Sequence, residues 1–100
     1  MAITLLNAVT TTGAGSNSQP IKDAPKTYQA IVTGTGTVGA TVVVEVSNDG
    51  TNFLTLGTIT LSGTTKASDG FASQATWNYC RGNVTAISGT GAAVTLLMGI

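Results

Sequence analysis

Along most of this chain apolar and polar residues alternate with a period of two. Val42, Val44 and Val46 fall on one side of an extended segment, and Thr41, Val43, Glu45 and Ser47 on the other, which is the spacing of a half-buried strand. Thr27 to Thr33 alternates in the same way, with Tyr28, Ala30 and Val32 on one side and Gln29 and Ile31 on the other. Trp77 to Ile87 presents Trp77, Tyr79, Arg81, Asn83 and Thr85 on one face and Cys80, Gly82, Val84 and Ala86 on the other, the second being the core candidate. Phe53 to Leu56 and Thr58 to Ser62 form a further strand with Gly57 as a bulge or bend. Ala92 to Met98 supplies a last strand, and Ala2 to Ala8 can form a first.

Between these segments lie turn-forming residues. Ser47-Asn48-Asp49-Gly50-Thr51-Asn52 has the composition of a hairpin turn, because Asn and Asp tolerate left-handed backbone and Gly accepts it freely. Gly34 to Gly39 and Ser88 to Gly91 are read as turns, Gly63 to Ala72 as a polar loop, and Thr10 to Pro25 as a long polar arm. About six short strands with no helical period predict an all-β, single-domain β-sandwich or jelly-roll-like barrel. Residues 1–26 form an N-terminal strand and extended polar arm in this reading, and residues 27–100 form the sandwich domain.

Composition agrees with a sheet. Nineteen threonines and 13 glycines favour pleated strands and sharp turns, and 42% of residues are apolar, too many for a disordered chain. Only 8% of residues are charged, against roughly a quarter in an ordinary soluble domain. The surface is therefore built largely from Thr, Ser, Gly and Asn. Four basic and four acidic residues cancel, which leaves no electrostatic footprint for a nucleic-acid backbone. Low charge also removes the self-repulsion that keeps copies apart, favouring a chain covered by a partner or by its own copies.

No stretch approaches the ~20 apolar residues of a membrane helix. The N-terminal run lacks a basic residue before its apolar core, so the expectation is a protein made in the cytoplasm without an address label.

Catalytic chemistry is hard to assemble from this inventory. There is no His to act as general base, so the single Cys80 lacks an imidazole partner and reads as a buried thiol. The carboxylates are Asp23, Glu45, Asp49 and Asp69, and Asp49 and Asp69 sit in turn-type sequence where Asp is expected. Gly34, Gly36 and Gly39 match the glycine spacing of a dinucleotide loop, but the following Ala40 to Ser47 is strand-like where a helix is required. Neither Asp-Gly turn has the ligand density of a calcium loop, and Asn83-Val84-Thr85 lacks the secretory context of a glycosylation acceptor. The expectation is a non-enzyme with no catalytic, cofactor or metal site.

The richest local feature is Trp77-Asn78-Tyr79-Cys80-Arg81, which lines the three residue types that dominate binding hot spots along one side of a strand. Packing between sheets is the plainer reading of Trp77 and Tyr79. In the alternative they form an exposed anchor patch, with Arg81 stacking on an aromatic ring or pairing with a partner's carboxylate.

Taken in succession, the strand 40–46, Ser47-Asn48-Asp49-Gly50-Thr51-Asn52-Phe53, the segment 58–63, Ser68-Asp69-Gly70-Phe71, then Trp77, Tyr79 and Arg81, and finally Asn83-Val84-Thr85-Ala86-Ile87-Ser88-Gly89-Thr90-Gly91 resemble small tailed-bacteriophage virion proteins of the capsid decoration, or cement, type. The resemblance runs from about Tyr28 to Met98 and does not cover the first 26 residues. It implies a homo-oligomer, trimer first and dimer second, that binds the major capsid protein on the outer capsid surface of the virion. A carbohydrate-binding jelly-roll module and a tail or head-fibre component are the alternatives. Ile3, Leu5 and Leu6 join Trp77, Tyr79 and Arg81 as interface candidates, because an apolar strip at the end of a polar arm is costly unless paired, here with a neighbouring subunit.

Overall fold

A computed structural model describes residues 2–18 and 25–99. The described residues contain five strands and no helix: β1 (Ala2–Val9), β2 (Gly13–Ala14), β3 (Lys26–Ser47), β4 (Leu54–Ser73) and β5 (Tyr79–Gly99). They form one antiparallel sheet in the order β1-β5-β3-β4, with β2 also pairing β5.

Six short strands were expected, and three of those found are 20 to 22 residues long. Gly34–Gly39 and Ser88–Gly91 are bends within continuous strands and not reversals between separate ones. The expected loop over Gly63–Ala72 is strand as well, with Ala67 opposite Val32, Asp69 opposite Ala30 and Phe71 opposite Tyr28. Residues 19–24 of the expected polar arm lie outside the described residues.

A 22-residue strand drawn straight would run about 70 Å at the usual rise per residue, but the longest dimension of the molecule is 40 Å. Each long strand must therefore fold back on itself. Backbone geometry supplies the corners: Gly36 has φ 71°, Gly91 has φ 65° and Thr65 has φ 61°, and pairing register shifts at Thr33/Thr37 and Thr35/Gly39. Glycine takes such angles without steric cost, and a β-branched residue does not.

Folding back brings the two halves of each strand face to face. A side chain at Gly82, in the first half of β5, would sit 2.6 Å from Leu96 in the second half and 2.8 Å from Leu6. At Gly57, in the first half of β4, it would strike the ring of Phe71 from the second half at 2.6 Å. Small residues thus stand opposite large ones, which lets the two layers approach closely.

Between the layers lies the core: Tyr28, Ala30, Val32, Val38, Ala40, Val42, Val44 and Val46 of β3, Ile59 and Leu61 of β4, and Cys80, Val84, Ala92, Val94, Leu96 and Met98 of β5. All the β3 members are even-numbered, as the period of two requires. Tyr28 and Phe71 stack with centroids 5.1 Å apart.

Two bulges change the expected sides. Val42 pairs Val84 while Thr41 pairs Ala86, so Thr85 is an extra residue and Ala86 turns outward, contrary to its expected place in the core. In β1, register shifts between Thr4 and Leu6, so the adjacent Leu5 and Leu6 are both buried.

Gly82→Val should overpack the contact with Leu6 and Leu96 and lower stability by about 1–3 kcal/mol, measured as a fall in urea midpoint at unchanged slope.

Candidate functional site

The outward face over the second half of β3 gathers aromatic, charged, amide and hydroxyl side chains. Register places Tyr79 opposite Ser47, Arg81 opposite Glu45 and Asn83 opposite Val43, with Thr55, Thr58 and Thr60 of β4 on the other flank of β3. The period of two therefore aligns Tyr79, Arg81 and Asn83 in one row, as expected from the sequence.

Arg81 is already engaged within its own chain. Its Nε donates to Glu45 Oε1 at 2.8 Å, and its guanidinium lies 3.9 Å from the centre of the Phe53 ring. Asn83 Nδ2 adds a second donor to Glu45 Oε2 at 3.4 Å. Both interactions imagined for Arg81 with a partner, an aromatic stack and a carboxylate pair, are thus made internally. Glu45 and Phe53 escape sequence reasoning as its partners because only strand register brings them there.

Beside this row stands the turn 47–52. Ser47 Oγ donates to Asp49 Oδ1 at 2.7 Å and accepts from the amides of Asp49 and Gly50 at 3.1 Å. Asp49 Oδ1 also accepts from the amides of Thr51 at 2.9 Å and Asn52 at 2.8 Å, and Oδ2 from Asn52 Nδ2 at 2.8 Å. These donors, led by the Asn52 and Thr51 amides, hold the Asp49 carboxyl far below the ordinary carboxylate range. Its oxygens serve the turn, the role its sequence context predicts. Gly50 lets the Tyr79 ring settle on the turn, where an added side chain would come within 3.3 Å of it.

Asn17 Nδ2 donates to Gly50 O at 3.1 Å, and Asn78 Nδ2 to Asn48 O at 3.2 Å. The described part of the N-terminal polar tract is thereby tied to the same turn. Gly15 N donates to Gly82 O at 2.8 Å, and Ser18 exchanges backbone hydrogen bonds with Cys80, so this tract lines the edge of β5.

The remaining interface candidates lie elsewhere. Trp77 precedes β5 and packs, half-buried, against the core. Ile3 is half-buried against the core, and Leu5 and Leu6 are inside it. The apolar strip thought to need a neighbour is covered here by the chain's own β5. The structure gathers Tyr79 and Arg81 on one face and keeps Ile3, Leu5, Leu6 and Trp77 apart from them.

Behind Tyr79, on the core side, sits a buried polar group that sequence reasoning missed. Lys26, Tyr28 and Cys80 are all at most 3% exposed. Burial first, and then Cys80, raises the Tyr28 hydroxyl well above its ordinary 10.0. Burial likewise raises the Cys80 thiol above its ordinary 9.0, with a hydrogen bond from Tyr28 and the Lys26 charge opposing. Both groups are held neutral, and a raised thiol is a poor nucleophile.

Among the described residues, no group of three or more His, Cys, Asp or Glu side chains gathers that could hold a metal ion. A shallow groove of about 230 Å³ runs over Gly39, between Thr41, Thr60 and Ser88. No protein-family profile, curated protein or solved structure matches the chain.

Cys80 should resist thiol reagents in the folded protein and react fully in denaturant, measured by the kinetics of a chromogenic disulfide. Because the folded pKa values of Cys80 and Tyr28 are raised, the stability from keeping them neutral is complete below 9.0 and is lost as pH climbs above it. Urea titrations across alkaline pH should show that decline, and it should shrink in a Cys80→Ala variant. Arg81→Ala removes a half-exposed ion pair and a ring contact and should cost about 1 kcal/mol.

Proposed function

We propose that this protein is a bacteriophage virion structural component of the decoration type, a passive β-sandwich brick that binds the outside of a capsid shell as a homo-oligomer. The reading rests on the succession of sequence segments described above. The observation that best supports it is the outward face bearing Tyr79, Arg81 and Asn83, a polar row with Thr55, Thr58 and Thr60 of β4 on the other flank of β3. Such a face offers a partner hydroxyl, guanidinium and amide groups for hydrogen bonds across the contact. The Glu45 pair and the Phe53 stack fix Arg81 beforehand, which reduces the side-chain entropy lost on binding. Many copies on one shell would add weak contacts into firm attachment.

A carbohydrate-binding module is the less well supported reading, because the aromatic side chains are already occupied. Tyr28 stacks on Phe71 in the interior, Phe53 lies under Arg81, Trp77 packs on the core and Tyr79 covers Gly50. A sugar would have to displace one of these contacts to gain a stacking platform.

The test is co-sedimentation of the purified chain with shells of the particle that encodes it, together with immunogold labelling of intact virions. Label on the shell and saturable binding are expected, and Tyr79→Ala should weaken binding about tenfold or more. Label confined to the tail, or binding to polysaccharide and not to shells, would overturn the assignment.

A further inference from the structure

We propose that the outer edge of β4 between Gly57 and Gly63 is a strand-pairing surface for a second copy of this chain, the two edges running antiparallel about a two-fold axis at Thr60. This deepens the homo-oligomer part of the reading above and rests on that part alone.

Among the described residues β4 neighbours β3 only, so its other edge carries unpaired backbone N–H and C=O groups. Such an edge is a template for another strand unless something blunts it. The second half of β4 is blunted in three ways. Thr65 takes a left-handed φ of 61°, Lys66 is exposed, and Asp69, opposite the buried Ala30, folds its carboxylate onto the Gly70 amide at 2.8 Å. The other outer edge, β1, is 8 residues long and broken by two register shifts. Residues 57–63 have no such device: they pair in regular register with Val44 to Val38 and contain no charge and no proline. Leu54, at the head of the same strand, is 52% exposed.

A second copy of the same edge is the occupant that this segment fits. In a symmetric antiparallel pair, opposed residues share a face, so their numbers sum to an even value. With the axis at Thr60, Thr60 meets Thr60, Thr58 meets Ser62, Ile59 meets Leu61 and Gly57 meets Gly63. Hydroxyls then lie on hydroxyls on the outward face, and aliphatics on aliphatics on the core side. No like charges oppose. The described N-terminal segment cannot fill this edge, because residues 2–18 are spent along β5. A two-fold pair also satisfies both edges at once and closes, whereas β4 on β1 of a neighbour would leave a free edge at each end.

Light scattering on a size-exclusion column, over a concentration series, is the test. The wild-type chain should reach twice its 10.0 kDa mass. Thr60 is exposed, so T60K should fold, place two ammonium groups opposite each other and run as a single chain. Mixing T60K with T60E should restore the pair. Independently of any variant, alternate amides within 57–63 of the wild type should gain hydrogen-exchange protection as concentration rises, while those of β1 do not. A wild-type mass of one or three chains, a T60K pair as firm as wild type, a mixture that fails to pair, or exchange in 57–63 that ignores concentration would each overturn the proposal. Loss of shell binding by a protein that still pairs would overturn the capsid assignment and leave the pair standing.

Discussion

The whole architecture depends on contact between the two halves of the same strands. Among the described residues the sheet of three long strands has no second sheet or helix to cover its apolar face, and one face of Val, Leu and Ile exposed over its full length could not be stable in water. Bending near Gly36, Thr65 and Gly91 lets the apolar face cover itself, with Gly57 receiving Phe71 and Gly82 receiving Leu96. The glycines therefore work in two unlike ways: some provide the angle of the corner, and others leave room for the side chain that the corner brings over. Surface chemistry follows from this division of labour. Once the apolar residues are sealed inside, the outward positions fall mostly to polar and small residues, and in the exposed row Glu45 and the Phe53 ring together hold Arg81 in place.

Much of the inside was legible in the sequence. Tyr28, Ala30 and Val32, then Val42, Val44 and Val46, and the row Cys80, Gly82, Val84 announce their faces by period alone, and Cys80 is buried as that period requires. The length of the strands was not legible. Gly34 to Gly39 and Ser88 to Gly91 have the same composition whether the chain reverses or merely bends, and only pairing with distant residues decides between them. Gly63 to Ala72 read as a loop because an edge strand held by backbone hydrogen bonds on one side needs little apolar alternation. Thr85 and Leu5 are bulge residues, and a bulge resets the phase of alternation without any marker in composition.

The same limit governed the candidate site. That Tyr79 and Arg81 share a face follows from their spacing. That Glu45, 36 positions away, completes the pair depends on register, and register is a property of the assembled sheet. Lys26, next to Pro25 and at the start of a strand, carried no sign that it would be enclosed with Tyr28 and Cys80. The N-terminal strip illustrates the reverse case. Its apolar character was evident, but the covering surface turned out to be β5 of the same chain, along which Ala2 to Val9 pair and the polar tract continues.

Self-coverage of bent strands is most directly tested by nuclear Overhauser contacts in an isotope-labelled sample. The account predicts cross-peaks between the Leu6 and Leu96 methyl groups and the Gly82 α-protons, and between the Phe71 ring and the Gly57 α-protons, all within one chain. Their absence, or their appearance only between chains in a mixed-label sample, would contradict it.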